Sequence, residues 1–329
     1  MAEVAALARY PVKGLTPEPQ DALVVQPDGR AAGDRVLAFR FADATLPETR
    51  DGLEYWPKQR GLALLDFPSL ARLRLTYDHE GRRLRITDGD RTLVEAGLWD
   101  GARRRIADAV TAWVLATPEG PLLGRPGRLP LELVGDGAAA RFQDRPRGFV
   151  TLHSQASVEA VGRAVPSVPV DDRRFRANIV IDGVQAWQEL EWAAAGAEVT
   201  IGGVRFTVTG TIERCLAIAA NPETGRRDAP LLKVLTAEFA QDRPTLGVLL
   251  LPTGPGRHNP GRRSGRRPLK TASEPPRFRG GRSQEVASSS SVRTVAQFRV
   301  VTSGQPDRRS SRPSCTASSL RPSPSGVCR

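Results

Sequence analysis

The sequence predicts a mainly β protein with a few helices, an α+β chain made of two β-barrel-like units followed by a disordered tail. Three observations carry that expectation. Short runs with alternating apolar and β-branched residues recur between turn signals through most of the chain. One strongly amphipathic helix, followed by a Pro/Gly-rich stretch, divides these runs into two groups. From Arg257 onward the composition changes to Arg, Ser and Pro.

In chain order, the first unit spans 1–118. The runs DALVVQP, RVLAFRF, ARLRLTYD, RRLRITD and RTLVEAG read as strands, and DHEG and DGD supply the turns between the last three. Residues 101–116 close the unit as a helix, because Ile106, Val110, Trp113 and Val114 fall on one face of a 3.6-residue period. Residues 119–129, rich in Pro and Gly, read as a linker.

The second unit spans 130–256. LELVG reads as a strand. Ser154 caps a helix that carries Val158, Val161 and Val165 inward and ends before Pro166. ANIVIDG is a strand, AEVTIGG and VRFTVTG form a hairpin about Gly202-Gly203, LLKVLTAEFA is a short helix and TLGVLLLP a buried strand. The tail, 257–329, lacks both Trp and Tyr and does not carry enough apolar surface to offset its ordering entropy.

Charge and cysteine usage narrow the function classes. The chain has 48 Lys+Arg and 36 Asp+Glu for a net charge of +12, but 16 of the basic and 3 of the acidic residues lie from Arg257 onward, which leaves the body with 32 and 33, a net of −1. The basicity belongs to the tail rather than to a folded face, which argues against a nucleic-acid interface. Tail-driven, salt-dependent nucleic-acid binding is the remote alternative. No run of apolar residues reaches membrane-spanning length, and MAEVAALARYPVKG lacks the pattern of a signal peptide, so no membrane and a cytoplasmic location are expected. With Cys315 and Cys328 in the tail, Cys215 stands alone in the body; this excludes a disulfide framework, a thiolate-rich zinc site and an iron–sulfur cluster there. It leaves a buried apolar cysteine or a reactive, metal-binding thiolate. His79, His153 and His258 are scattered, and no HExxH, Walker A, GxGxxG or GxSxG motif occurs in a working context.

What remains is a set of single residues beside β elements: Lys13 and Arg35 in the first unit, and Ser154, Ser157, Arg176, Asn178, Arg214 and Cys215 in the second. Basic residues at strand ends, hydroxyls at a helix start and one thiol suit an anionic, phosphorylated ligand with a soft metal. Each also has an ordinary reading: a strand-end charge, a satisfied polar group, a plain helix cap or a core cysteine.

Four stretches in order give these residues a common context. YPVKG at 10–14 with GDRVLAFRF at 33–41, HSQAS at 153–157, RFRANIVIDG at 174–183 followed by Glu189 and Trp192, and RCLAIAANPETG at 214–225 resemble the MOSC family, the molybdenum-cofactor sulfurase C-terminal domain family. The likeness is greatest to members with an N-terminal MOSC β-barrel module, such as the amidoxime-reducing components.

The resemblance implies a second unit that is a MOSC β-barrel and a molybdenum cofactor (molybdopterin) with Cys215 as metal ligand. It further implies that Lys13, Arg35, Arg176 and Asn178 hold the pterin phosphate or its polar edge, with Ser154 and Ser157 on a segment touching the cofactor and Arg214 adding charge beside the ligand. Gly14 stands where the family commonly has Ser, which leaves a backbone N–H in place of a hydroxyl. The implied activity is reduction of an N-oxygenated or similar small molecule, with electrons from a separate donor protein of the ferredoxin or flavin reductase type. The alternative is a sulfur-carrier or cofactor-handling protein that uses a Cys215 persulfide.

The family's closing strand pattern, G-x-I-x-x-G-D-x-V, is missing after Gly256. A one-base advance of the reading frame would permit it, so the tail is either a basic extension or the product of a shifted frame.

Overall fold

The computed structural model describes residues 2–253 and 298–301. Most of the regular structure is strand, with five α-helices.

The chain opens with β1 (Glu3–Arg9) and the two-residue β2 (Glu18–Pro19), then crosses a loop to β3 (Ala38–Arg40). A free-standing hairpin follows, β4 (Glu48–Arg50) and β5 (Leu53–Tyr55). Its turn residues Asp51 and Gly52 both have positive φ, the geometry a two-residue hairpin loop demands. An antiparallel meander comes next: β6 (Leu73–Asp78), β7 (Arg83–Asp88) and β8 (Arg91–Gly97).

Along β6 and β7 the alternation places Leu73, Leu75, Tyr77, Leu84 and Ile86 on one buried face. Helix α1 (Asp100–Leu115) covers that face with Ile106, Val110, Trp113 and Val114, the residues the helical period selects. Trp113 Nε1 donates to Asp88 at 2.9 Å and ties the helix to β7. The segment expected to be a linker contains α2 (Gly120–Leu123), whose Leu123 is buried in the same core.

After β9 (Glu132–Val134) the second unit is built from β10 (Val150–Ser154), α3 (Gln155–Ala164), β11 (Ile179–Asp182), α4 (Gln188–Ala194), β12 (Glu198–Ile201), β13 (Val204–Glu213), α5 (Leu231–Ala237) and β14 (Thr245–Pro252). With β15 (Phe298–Val301), these strands join one curled half-barrel sheet of order β15-β12-β13-β14-β10-β11-β1-β2. The β10–β11 pair is parallel, and α3 provides the crossover between them. The other pairs are antiparallel.

Two strands pair across the boundary that the sequence suggests. β1 pairs with β11 in the second unit's sheet, Leu7 opposite Ile179, and β9 pairs with β3 in the first, Phe39 opposite Leu133. The run at 21–27 is not a strand; it carries only a bridge between Val25 and Ala31. Of the tail, only the backbone of Phe298–Val301 is described, as a strand on the edge of β12. The disorder and reading-frame expectations for the rest lie outside the described residues.

Candidate functional site

Strand ends and loops from both units converge on a cavity of about 860 Å³, within the usual range for small-molecule and cofactor sites. Its floor includes Thr151 on β10, Leu249 on β14 and the end of β13. The walls are the loop at 143–149, the turn at 174–176, the segment after β13 that carries Arg214 and Cys215, Arg35 from the first unit, and the tip of the β4–β5 hairpin.

Arg35 and Arg176 face this cavity from opposite units, and both hold a left-handed backbone with φ of 52° and 54°. That conformation is costly for a residue with a Cβ and persists only where surrounding bonds enforce it. The enforcement is visible. Arg35 N donates to Tyr10 O at 2.7 Å, and Arg35 O accepts from Arg141 N and Phe142 N at 3.2 and 3.1 Å. The Arg176 side chain donates to Leu15 O at 2.6 Å.

Both guanidinium groups lie over the Tyr10 ring, Arg35 at 5.1 Å and Arg176 at 4.3 Å from its centre, and the Tyr10 hydroxyl donates to Ala177 O at 3.2 Å. Burial drives the Tyr10 phenol up to about 12 despite the two cations, so it stays neutral.

Asp34, buried beneath Arg35, accepts from Tyr10 N at 2.8 Å and Asn178 Nδ2 at 3.2 Å and pairs with the Arg35 guanidinium. Burial opposes the Arg35 charge, but Asp34 and Asp144 outweigh it and raise the group above its ordinary value. Burial lowers Arg176 and Arg214 to about 10, which still leaves both charged near neutrality.

Arg214 is clamped. Its Nε donates to Leu246 O and one terminal nitrogen to Phe175 O, both at 2.8 Å. Gly247 opposite has φ of +79°, and a Cβ there would come within 2.6 Å of Leu152 O as well as 3.1 Å of the guanidinium, so the place requires glycine. The backbone about the neighbouring Cys215 is held as well: Arg214 N donates to Pro244 O at 2.7 Å and Cys215 O accepts from Ile218 N at 3.1 Å. That cysteine is free, half-buried, in extended conformation, and lines the cavity.

Four sequence-selected residues therefore share the cavity: Arg35, Arg176, Arg214 and Cys215. The others are placed elsewhere. Lys13 is buried behind the wall; its Nζ lies 2.9 Å from Asp144 Oδ1 and donates to Gln143 O and Trp56 O at 3.3 and 3.4 Å. Gly14 turns the chain after it with φ of +85°, against Leu62 O. Asn178 clasps β1, β10 and β11 by bonding Ala8 O, Thr151 and Asp34. Ser154 and Ser157 are fully buried outside the cavity; their hydroxyls contact each other at 2.7 Å and both donate to Glu189 Oε2 at 3.0 Å.

Sequence reasoning missed the wall residues Lys58, Gln143, Asp144, Arg145, Arg147 and Arg174. The run RFQDRPR at 141–147, basic and Pro-interrupted just before a strand, was the signal for four of them, Gln143, Asp144, Arg145 and Arg147. Gln143 Nε2 and Arg174 Nε are buried in the wall with no hydrogen-bond partner, so two donors of the cavity lining are unclaimed by the protein.

The MOSC domain family matches residues 140–261, which include Arg174, Arg176, Arg214 and Cys215. Molybdenum cofactor sulfurase from Bos taurus is 36% identical over 80 residues, 24% of this chain and 8% of that protein. The protein of the same name from Drosophila erecta is 32% identical over 136 residues, 39% of this chain and 16% of that protein. The chain thus spans only a small part of the sulfurases it matches. The YUAD protein from Bacillus subtilis covers 77% of this chain and 89% of its own at 10% identity with a TM-score of 0.34, a likeness too loose to build on. The clamp, the thiol and most of the cavity lining lie in a stretch whose family is thereby fixed: residues 140–261 of this chain are a MOSC domain.

Proposed function

We propose that the chain has a molybdenum-cofactor-related function and binds the cofactor in the 860 Å³ cavity, with Cys215 as the metal's protein ligand. The observation that carries this reading is the convergence of one half-buried thiol with three guanidinium groups on one cavity of a MOSC domain. The donor set fits such a group. Among the described residues no cluster of three His, Cys, Asp or Glu could chelate a metal, so a single thiolate suits a metal that arrives with its own organic ligands. The unclaimed donors of Gln143 and Arg174 fit a polar heterocycle.

Bound there, the cofactor would supply two-electron redox chemistry, and the protein would supply placement and electrostatics. Arg35 and Arg176 would hold the anionic end and Arg214 would add charge beside the Cys215 thiol, each already oriented by its bonds to backbone groups. The Arg214 clamp would keep the Cys215 thiol directed at the metal. The reaction we assign is reduction of an N-oxygenated or similar small molecule, with electrons from a separate ferredoxin- or flavin-type donor protein. The names of the sulfurase relatives favour a second reading, in which Cys215 carries sulfur as a persulfide for cofactor handling.

Molybdenum and pterin content per chain, after expression in a cofactor-competent host, tests both readings. Near-stoichiometric molybdenum in the full chain and its loss in Cys215→Ser are the expected results. Undiminished molybdenum in Cys215→Ser sinks the ligand role. Cyanide-releasable sulfur on Cys215 without metal would install the persulfide reading instead.

A further inference from the structure

The Lys13–Asp144 pair is lopsided. The lysine side chain is 8% exposed and the aspartate side chain 63% exposed, yet their charged atoms are 2.9 Å apart. Lys13 is therefore a buried cation whose partner carboxylate hangs from the cavity wall. Its other bonds are two long ones to carbonyls, and Asp144 is its one ion-pair partner among the described residues.

Asp144 is also felt by Lys58 and Arg35, which line the same cavity. Desolvation by the surrounding wall opposes its charge, but the three cations outweigh it and hold the carboxyl well below the usual range, although 63% of the side chain's surface stays open to the cavity. The carboxylate thus sits at a focus of positive charge within a site that would take a phosphorylated ligand.

The loop bearing Asp144 is held on either side, at Gln143 and at Pro146 O, which accepts from Arg30 at 3.0 Å, while its charged side chains stay exposed. Gln143 is anchored, its carbonyl accepting from Lys13 and its side-chain oxygen from Arg30 at 3.4 Å. Beyond it, Arg145 and Arg147 are exposed and make no ion pair among the described residues. Turning Asp144 outward costs the Lys13 pair, which an incoming anion would replace.

The geometry points to Asp144 as a charge gate: a built-in monoanion that a ligand must displace to reach Lys13, so that the site selects phosphate monoesters over singly charged anions. A carboxylate offers one negative charge, whereas a phosphate monoester carries about −1.5 to −2 at pH 7 on three acceptor oxygens. A phosphodiester or carboxylate ligand, matching Asp144 in charge, gains nothing from the exchange. This rests on the reading of the cavity as a site for a phosphorylated ligand. It also reconciles the burial of Lys13 behind the wall with a role in holding that phosphate.

Calorimetric titration of the full-length chain at pH 8 tests the gate, with inorganic phosphate and dimethyl phosphate as probes. The wild type should bind inorganic phosphate and discriminate against dimethyl phosphate. In Asp144→Asn, phosphate should bind about tenfold tighter or more, because one competing charge within a few ångströms is gone. Dimethyl phosphate should gain at least as much, so the discrimination narrows. Without ligand the variant should melt at a lower temperature than wild type, and phosphate should restore it.

Equal or weaker phosphate binding by Asp144→Asn overturns the gate, as does failure of both proteins to bind phosphate. Asp144→Ser, which leaves Lys13 a neutral acceptor, serves the same comparison should the asparagine variant not fold. Molybdenum content of Cys215→Ser is independent of these titrations, so failure of the gate and failure of the cofactor reading are told apart.

Discussion

His153 shows how much chemistry a single buried side chain can hold without touching a ligand. It is fully buried on β10, neither ring nitrogen has a partner, and its ring meets Phe175 edge-on at 6.0 Å. Burial first, and the Arg214 charge second, lower its pKa from 6.5 to about 3. The folded protein therefore keeps this histidine neutral where the unfolded chain protonates it. Its contribution is complete above pH 6.5 and is lost as pH falls toward 3, because the unfolded state then binds the extra proton. Urea unfolding at stepped pH should show a slope of up to about 1.4 kcal/mol per pH unit across that window, and His153→Leu should lack that share of it. An unchanged slope would mean that His153 is not the group responsible. At this scale the sequence was legible where chemistry and family order coincide, as for Cys215, Arg176 and Arg214. It was illegible for Asp144 and Gln143, because a carboxylate and an amide in an Arg-rich loop look like solvated surface until β3, β10 and Lys13 are brought round them.

At the scale of elements, Ser154 separates structure from function. It caps α3 by accepting from Ser157 N at 3.1 Å, as Ser before an apolar helical period predicts. The same hydroxyl also serves Glu189, a carboxylate whose pKa burial raises although Ser154 and Ser157 donate to it. Ser154→Ala should cost about 1–3 kcal/mol in denaturant unfolding, the sum of a lost cap and a weakened buried carboxylate. Molybdenum content should be unaffected, since the hydroxyl lies outside the cavity; a selective loss of cofactor with full stability would return Ser154 to the ligand set. Local periodicity read α1, α3, the β12–β13 hairpin and the meander β6–β8 because each buries its own regular face. It missed the β4–β5 hairpin, nearly all exposed and so without an apolar pattern, and it read a strand at 21–27 where apolar residues serve only as loop packing.

In the whole molecule the two units share strands. β1 belongs to the sheet of the MOSC domain and β9 to the first unit, so each half is completed by a piece of the other. Nothing local in EVAALAR announces a partner some 170 residues away, which is why a division read from composition drew its line between them. A fragment of residues 130–256 alone would leave the β11 edge open where β1 belongs, and exposed edges recruit other chains. It should elute as aggregate in size-exclusion chromatography, where the chain with 1–129 present runs as a discrete species; a monomeric, cooperatively melting fragment would contradict this. The pairing of Leu7 with Ile179 also sets a clock. At about 5–20 residues per second, a ribosome takes on the order of ten seconds or more to make the stretch between them. Through that interval the first strand of the protein has only the two residues of β2 beside it and must wait for the later-made half to fill its other edge.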